Sequence, residues 1–132
     1  MDVYRERTPE GRRIVVERRV DAPAEAVWDV FRDTDLWPEW GPSVQAVECE
    51  DRYVSEGTTG RVRVLGAWIP FEVTSCTDRR WTWDVAGIPA TGHRVGEDPV
   101  TAAFEVPVAA APYTLVCRRA LEKISALAAN AE

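Results

Sequence analysis

The chain has 132 residues, of which 45% are hydrophobic and 29% are charged, a composition typical of one globular domain and not of a disordered chain. Its formal net charge of −6 disfavours binding to the phosphate backbone of a nucleic acid. No apolar run approaches the roughly 20 residues that span a bilayer, and the polar N-terminus lacks the apolar segment of a signal peptide, which predicts a cytoplasmic protein without a membrane span.

Residue types with special chemistry are few and widely spaced. Cys49, Cys76 and Cys117 form no CxxC pair, which predicts reduced and mostly buried thiols. His93 is the only histidine, so a histidine-based metal site is not expected. The chain also lacks a glycine-rich phosphate loop and a GxSxG motif. We therefore expect no metal and no cofactor.

The first half of the chain predicts one strand followed by two short helices. The β-branched run from Ile14 to Val20 is typical of a strand. Pro23 suits the first position of a helix, and the apolar residues after it recur with helical period. A second helical turn is expected over Asp35 to Trp40, ended by Gly41 and Pro42.

The middle of the chain alternates between strand patterns and turn residues. Because the connections leave no room for crossover helices, these strands are expected to pair antiparallel. The predicted strands cover Val44 to Cys49, Thr59 to Leu65, Ala67 to Cys76, Trp81 to Val85, Thr91 to Val95 and Val100 to Val106.

The C-terminal part predicts one long amphipathic helix from about Pro107 to Ala129, with Pro112 in its first turn or at a kink. Its apolar stripe is expected to contain Tyr113, Val116, Cys117, Ala120, Ile124 and Leu127. In domain terms, we expect a flexible N-terminal tail over residues 1–11 and a single domain over residues 12–132.

The segment from Val20 to Glu48, VDAPAEAVWDVFRDTDLWPEWGPSVQAVE, resembles the opening pattern of the START-like (SRPBCC) superfamily, in particular its polyketide cyclase/dehydrase-type helix-grip proteins. Looser matches are Gly57 to Val64, the aromatic strand at Trp81 to Trp83, His93 and the C-terminal helix. Together they cover about residues 13 to 129. The matching residues are specific for a fold and not for an activity.

This resemblance implies an α+β helix-grip fold, in which a seven-stranded antiparallel sheet curls around the long C-terminal helix and two short helices follow the first strand. It also implies a cavity between helix and sheet. Members of the superfamily bind lipids, sterols, polyketides or other hydrophobic molecules, some cyclise or dehydrate polyketides, and others act as quinone-binding or co-chaperone modules.

Strand parity predicts which side chains face that cavity, because every second residue of a strand lies on the same face. The expected inward set is Val62, Val64, Ile69, Phe71, Val73, Trp81, Trp83, Val85, His93, Val95, Ala102, Phe104 and Val106. The expected solvated set is Arg61, Arg63, Glu72, Asp84, Arg94 and Glu105. The many tryptophans predict a small cavity that is partly filled by its own rings.

The candidate ligand contacts from the inward set are Phe71, Val73, Trp83, His93 and Phe104. For each, ordinary core packing is the alternative interpretation.

Four further candidates come from the rest of the chain. Arg18 is expected to point inward. Because an unpaired buried guanidinium is costly, it should either reach solvent at the barrel mouth or pair with an acidic group, which is a ligand acid or a side chain such as Glu48. Tyr113 and Cys117 are candidates from the inner stripe of the helix, and Trp37 is a candidate guard of the cavity mouth.

Two other tryptophans have structural interpretations. Trp40 is expected to be structural, and Trp68 is expected at the surface.

The favoured function is binding of a small hydrophobic or aromatic molecule by a monomer or weak homodimer. One alternative is a polyketide cyclase or dehydratase, which needs an acid/base pair; the only polar candidates are Arg18, His93 and Tyr113. A second alternative is a protein-interaction module of the co-chaperone or toxin kind, for which the only apolar surface candidate is Trp68-Ile69-Pro70.

Overall fold

One antiparallel sheet curves around a long C-terminal helix in the computed structural model, which describes residues 1–41 and 43–130. The α+β helix-grip architecture predicted from the sequence is confirmed. Pro42, a predicted helix stop, and residues 131–132, the predicted end of the domain, lie outside the described residues. Within the described ranges, no helix is both long and apolar enough to cross a membrane.

The strands are β1 (Asp2–Thr8), β2 (Gly11–Arg19), β3 (Ala46–Cys49), β4 (Thr59–Val64), β5 (Ala67–Thr77), β6 (Arg80–Val85), β7 (Ile88–Gly96) and β8 (Thr101–Pro107). The helices are α1 (Ala24–Arg32), α2 (Trp37–Trp40) and α3 (Thr114–Asn130), with 3₁₀ helices at Thr34–Leu36 and Val108–Tyr113. The strand order in the sheet is β1-β2-β8-β7-β6-β5-β4-β3.

Strand β1 replaces the flexible tail that the sequence predicts over residues 1–11, and it brings the sheet to eight strands where seven are predicted. It pairs with β2 from Asp2↔Glu17 to Thr8↔Gly11. Its side chains are mostly exposed because it is an edge strand. An edge strand with polar residues on both faces lacks the apolar alternation by which a strand is recognised.

Tight turns set the register of the central hairpins. Leu65 and Gly66 between β4 and β5 have φ values of 50° and 80°, and Ala86 and Gly87 between β6 and β7 have values of 55° and 74°. Positive φ at both central residues is the signature of type I′ turns, whose twist matches that of paired strands. The glycine in each turn takes up this conformation without strain.

The C-terminal helix begins later than predicted. Residues Val108–Tyr113 form a 3₁₀ helix, with non-helical backbone angles at Ala110, and α3 starts at Thr114. Pro112 lies in this 3₁₀ segment, because it has no N–H to give to a continuous α-helix. As a result Tyr113 precedes α3 and is 37% exposed, so its predicted place on the buried stripe is wrong.

The inward face of the sheet packs against α1, α2 and α3 to form the main core. Its buried members include Val62, Phe71, Val73, His93, Val95, Ala102, Phe104 and Val106, all of which parity places on this face. The buried residues of α3 are Cys117, Ala120, Leu121, Ile124 and Ala128.

The opposite face of the sheet contains a second buried layer at Glu105, and here the sequence prediction is wrong. Glu105 is expected on the solvated face, but it is only 1% exposed. Its carboxylate accepts hydrogen bonds from Arg80 Nη2 at 2.7 Å and from Arg94 Nη1 at 3.2 Å. Two arginines therefore neutralise the carboxylate and cover it, which parity alone does not reveal.

Candidate functional site

The inner face of the sheet holds a continuous group of rings, which we call the interior aromatic cluster. It consists of Phe31 from α1, Trp37 from α2, Phe71 from β5, Trp81 and Trp83 from β6, His93 from β7 and Phe104 from β8. Neighbouring ring centroids lie 5.3 to 5.9 Å apart, apart from one closer stack described below. These distances are typical of edge-to-face and offset packing.

A stack of three rings runs through the middle of the cluster. The rings of Trp37 and Trp81 are parallel within 8° at a centroid distance of 5.4 Å. On its other side Trp81 stacks on His93 at 3.8 Å. Trp37 is 1% exposed, and its Nε1–H donates to the carbonyl of Phe31 at 3.0 Å. The ring of Trp37, the predicted guard of the cavity mouth, is therefore directed inward by α2 and covers Trp81.

Trp81 differs from the other buried tryptophans in its hydrogen bonding. Trp40 Nε1–H donates to the carbonyl of Val30 at 3.2 Å, and Trp83 Nε1–H donates to Thr91 Oγ1 at 3.1 Å. Trp81 is 0% exposed, yet its Nε1–H has no acceptor among the described residues. Buried indole N–H groups nearly always have a partner, so this donor marks a point in the interior that suits a polar acceptor.

His93 is held neutral by its surroundings. Its Nδ1–H donates to the carbonyl of Trp81 at 3.2 Å, so its Nε2 accepts from Thr91 Oγ1 at 2.9 Å. The pKa of His93 is lowered to about 3, chiefly by burial and in smaller part by the charge of Arg80, whereas the hydrogen bond to Trp81 opposes the shift. At neutral pH His93 is therefore a hydrogen-bonded core residue and not an acid/base group.

The lowered pKa of His93 predicts a pH dependence of stability. The unfolded chain, with a histidine pKa near 6.5, binds more protons than the folded chain between that pH and about 3. Stability from this group is therefore present above pH 6.5 and is lost as the pH falls, at a rate that rises to about 1.4 kcal/mol per pH unit near pH 5. We expect urea unfolding to show a loss of about 2 kcal/mol between pH 7 and 5, and His93→Gln to remove it.

A slope that His93→Gln leaves unchanged would mean that other groups carry the acid sensitivity. The range above pH 5 is chosen because ordinary carboxyl groups titrate mainly below it.

The cluster brings together most of the candidate residues from the inward strands. Phe71, Trp83, His93 and Phe104 are in ring contact, and Val73 is buried beside Phe71 on β5. From the helix side, Cys117 is 1% exposed, and burial raises the pKa of its thiol to about 12. This thiol is protonated at neutral pH and can contribute packing or a weak hydrogen bond, but not nucleophilic attack.

Two candidates lie apart from the cluster. Tyr113 is hydrogen bonded through its hydroxyl to Ser43 Oγ at 2.7 Å, which joins the loop after α2 to the segment before α3. Arg18 lies on β2 near the end of the sheet, and its Nε is buried without a partner among the described residues. The suggested acid Glu48 pairs with Arg61 instead, at 2.6 Å.

Packed rings fill the interior beneath α1 and α2, where Phe31 contacts Phe104 and Trp37 contacts Phe71, Trp81 and Trp83. The predicted partial filling by tryptophan therefore extends to the centre of the domain, where Trp37 and Trp81 are stacked.

Sequence reasoning placed Trp81 on the inward face without naming it as a candidate ligand contact, and it missed two further contributors to the site. Phe31 contacts His93 and Phe104, and Thr91 links Trp83 to His93. The helical stripe of α1 marks Phe31 as buried but does not show which rings it touches. Thr91 is recognisable because it lies two residues before His93 and so shares its face.

Comparison with known proteins places these features in a wider group. Residues 12–129 match the family described as polyketide cyclase/dehydrase and lipid transport. A search of curated proteins gives no match.

Two solved structures show the same fold. Protein CV1439 from Chromobacterium violaceum has a TM-score of 0.62 and 18% identity, over 88% of this chain and 96% of that one. The protein XoxI from Bacillus cereus has a TM-score of 0.61 and 14% identity, over 88% of this chain and 94% of that one.

Proposed function

We propose that this chain binds a small, planar, hydrophobic molecule between the sheet and α3. The premise is that the chain belongs to the polyketide cyclase/dehydrase and lipid transport family. The ligand in this proposal has a fused-ring size similar to indole and carries one hydrogen-bond acceptor. Binding is the activity, and no chemical step is assigned to the interior.

The observation that carries the proposal is the unpaired Nε1–H of Trp81 at 0% exposure. A buried donor without a partner costs about 1 to 3 kcal/mol. A ligand carbonyl or ether oxygen that accepts from this N–H would recover that free energy, while its ring would replace aromatic contacts. Pockets of this kind, apolar with a single polar anchor, are typical of sites for small hydrophobic molecules.

Movement of Trp37 is the route by which a ligand reaches Trp81 in this proposal. Trp37 covers one face of the Trp81 ring, and the helix that carries it, α2, has only four residues. The loop after α2 is joined to the segment before α3 by the hydrogen bond between Ser43 and Tyr113. Displacing α2 would break this hydrogen bond and uncover Trp81, so Tyr113 is a candidate for controlling access.

The two alternative functions have less support. A cyclase or dehydratase needs an acid/base pair, and no hydrogen bond or ion pair joins any two of Arg18, His93 and Tyr113 in the part of the chain that the structure describes. The apolar surface needed by an interaction module is not formed at Trp68, because Arg61 covers its ring at 4.7 Å.

A matched pair of probes tests the proposal. 1-Indanone has a planar fused ring with a carbonyl acceptor, and indane has the same ring without it. We expect 1-indanone to bind wild-type protein about tenfold more tightly than indane, because one hydrogen bond to a buried donor contributes roughly 1.5 kcal/mol. In ¹H–¹⁵N spectra the Trp81 indole resonance should move downfield on saturation with 1-indanone.

Two tryptophan variants serve as test and control. Trp81→Phe removes the unpaired donor and should abolish the preference for 1-indanone over indane. Trp83→Phe removes an N–H that is already bonded to Thr91, so this variant should keep the preference. If neither probe gives a saturable shift in wild-type protein, or if Trp81→Phe keeps the preference, the proposed site is wrong.

A further inference from the structure

The outer face of the sheet has a pocket of about 340 Å³, whose lining shares only Trp83 with the interior aromatic cluster. Ala90 and Gly92 of β7 form its floor, and their small size leaves a trough between larger neighbours. Glu10, Arg13 and Glu105 line one side. Residues of β5 and β6 line the other.

Irregular strand pairing concentrates hydroxyl groups in this pocket. The register shifts between Val73 and Ser75 on β5, so that Thr74 is an extra residue opposite β6. Thr74 Oγ1 and Ser75 Oγ consequently lie 2.7 Å and 2.6 Å from Thr82 Oγ1. Such bulges redirect side chains, and here they direct three hydroxyls to one point.

The buried carboxylate of Glu105 makes one wall of the pocket rigid. It accepts from Arg80 Nε at 3.0 Å and Nη2 at 2.7 Å, and from Arg94 Nη1 at 3.2 Å. Gly92 leaves room for it, since a Cβ on Gly92 would lie 2.6 Å from Glu105 Oε1. Arg80 also pairs with Glu10 and Arg94 also pairs with Glu6, so the carboxylates of Glu10 and Glu105 on this wall are both engaged by arginine.

Opposite charges remain on the two sides of the trough. Arg13 lies on β2 and Asp84 on β6, and neither forms an ion pair with the described residues. Strands β8 and β7 lie between them, so their backbones are about three strand spacings, or roughly 14 Å, apart. Both side chains line the pocket, so a small molecule within it can lie between a cation and an anion.

We propose that this outer pocket binds a small zwitterion. Its carboxylate pairs with Arg13 and its ammonium group pairs with Asp84, and the hydroxyls of Thr74 and Ser75 lie beside it. An anion alone would pair with Arg13 but face Asp84, and a cation alone would face Arg13. A neutral polyol would satisfy the hydroxyls and leave both charges unpaired. Only a molecule with both charges matches both sides.

A titration followed by ¹H–¹⁵N spectra of the full chain tests this site, with 4-aminobutyrate as the probe. Butyrate, butylamine and 1,4-butanediol are its matched comparisons, because each lacks one or both charges at a similar length. We expect saturable shifts of the Thr82, Ala90 and Gly92 amides with 4-aminobutyrate, and binding about tenfold weaker or more for each comparison compound.

Charge-removing variants assign the two ends of the ligand. Arg13→Gln and Asp84→Asn should each weaken 4-aminobutyrate binding about tenfold or more. The controls are Arg12→Gln and Asp78→Asn, which remove exposed charges outside the pocket and should leave affinity unchanged. The proposal is overturned if no amide of the trough shifts saturably, if a comparison compound binds as tightly, or if Arg13→Gln and Asp84→Asn retain wild-type affinity.

Discussion

Replacing Glu105 by alanine is expected to lower the free energy of unfolding by about 3 kcal/mol, because it removes the buried carboxylate that Arg80 and Arg94 share and leaves them only their more exposed partners, Glu10 and Glu6. The Arg80 and Arg94 side chains are only 22% and 23% exposed, and Glu105 is 1% exposed. Hydrogen bonds donated to Glu105 raise the pKa of Arg80 in the wild-type protein, and without Glu105 the arginine still keeps its charge and cannot relieve the defect by losing it. Urea unfolding of Glu105→Ala measures the loss.

Glu48→Ala is the matched control. Glu48 also pairs with an arginine, Arg61 at 2.6 Å, but the two side chains are 53% and 49% exposed. Exposed pairs contribute about 0 to 1 kcal/mol, so Glu48→Ala should change stability little. Equal losses in the two variants would show that burial of Glu105 has no special role in stability.

Replacing Trp37 by alanine is expected to cost about 3 to 5 kcal/mol, because it removes a fully buried ring from the centre of the interior aromatic cluster. The ring of Trp37 contacts Phe71, Trp81 and Trp83. If Trp37 also blocks access to Trp81, the same variant should bind 1-indanone more tightly than wild-type protein, since the ring no longer has to be displaced. Thermal unfolding with and without 1-indanone measures both effects.

Trp68→Ala is the control for the loss of an indole ring. Trp68 lies on the outer face under Arg61, so its removal should cost about 1 kcal/mol or less and leave 1-indanone binding unchanged. A Trp37→Ala protein that is destabilised but binds 1-indanone no better than wild type would identify Trp37 as a core residue only.

The parts of the fold that depend on apolar periodicity could be predicted from the sequence. Alternation in β5 to β8 placed Phe71, His93 and Phe104 on the inner face, and each is buried. The resemblance over Val20 to Glu48 anticipated α1 and the short helical segments after it. In these segments a residue is buried when it lies on the inward face, so the spacing of apolar residues along the sequence predicts which residues are buried.

The errors arise where burial depends on long-range pairing. Glu105 has the parity of a solvated residue, but it is buried where Arg94 of the adjacent strand β7 and Arg80 of the next strand β6 pair with it. Strand β1 is held by its pairing with β2 and contributes few buried side chains. Tyr113 was misplaced because the start of α3 depends on tertiary packing, and the full burial of Trp37 likewise depends on the direction of a four-residue helix.

Native mass spectrometry of freshly purified protein tests interior ligand binding most directly. Binding of a small hydrophobic molecule predicts a population whose mass exceeds that of the 132-residue chain by one small organic compound. That population should disappear on organic extraction and reappear on addition of the extract. A protein that is repeatedly free of such a compound, and that takes up neither the extract nor 1-indanone, would contradict the proposed function.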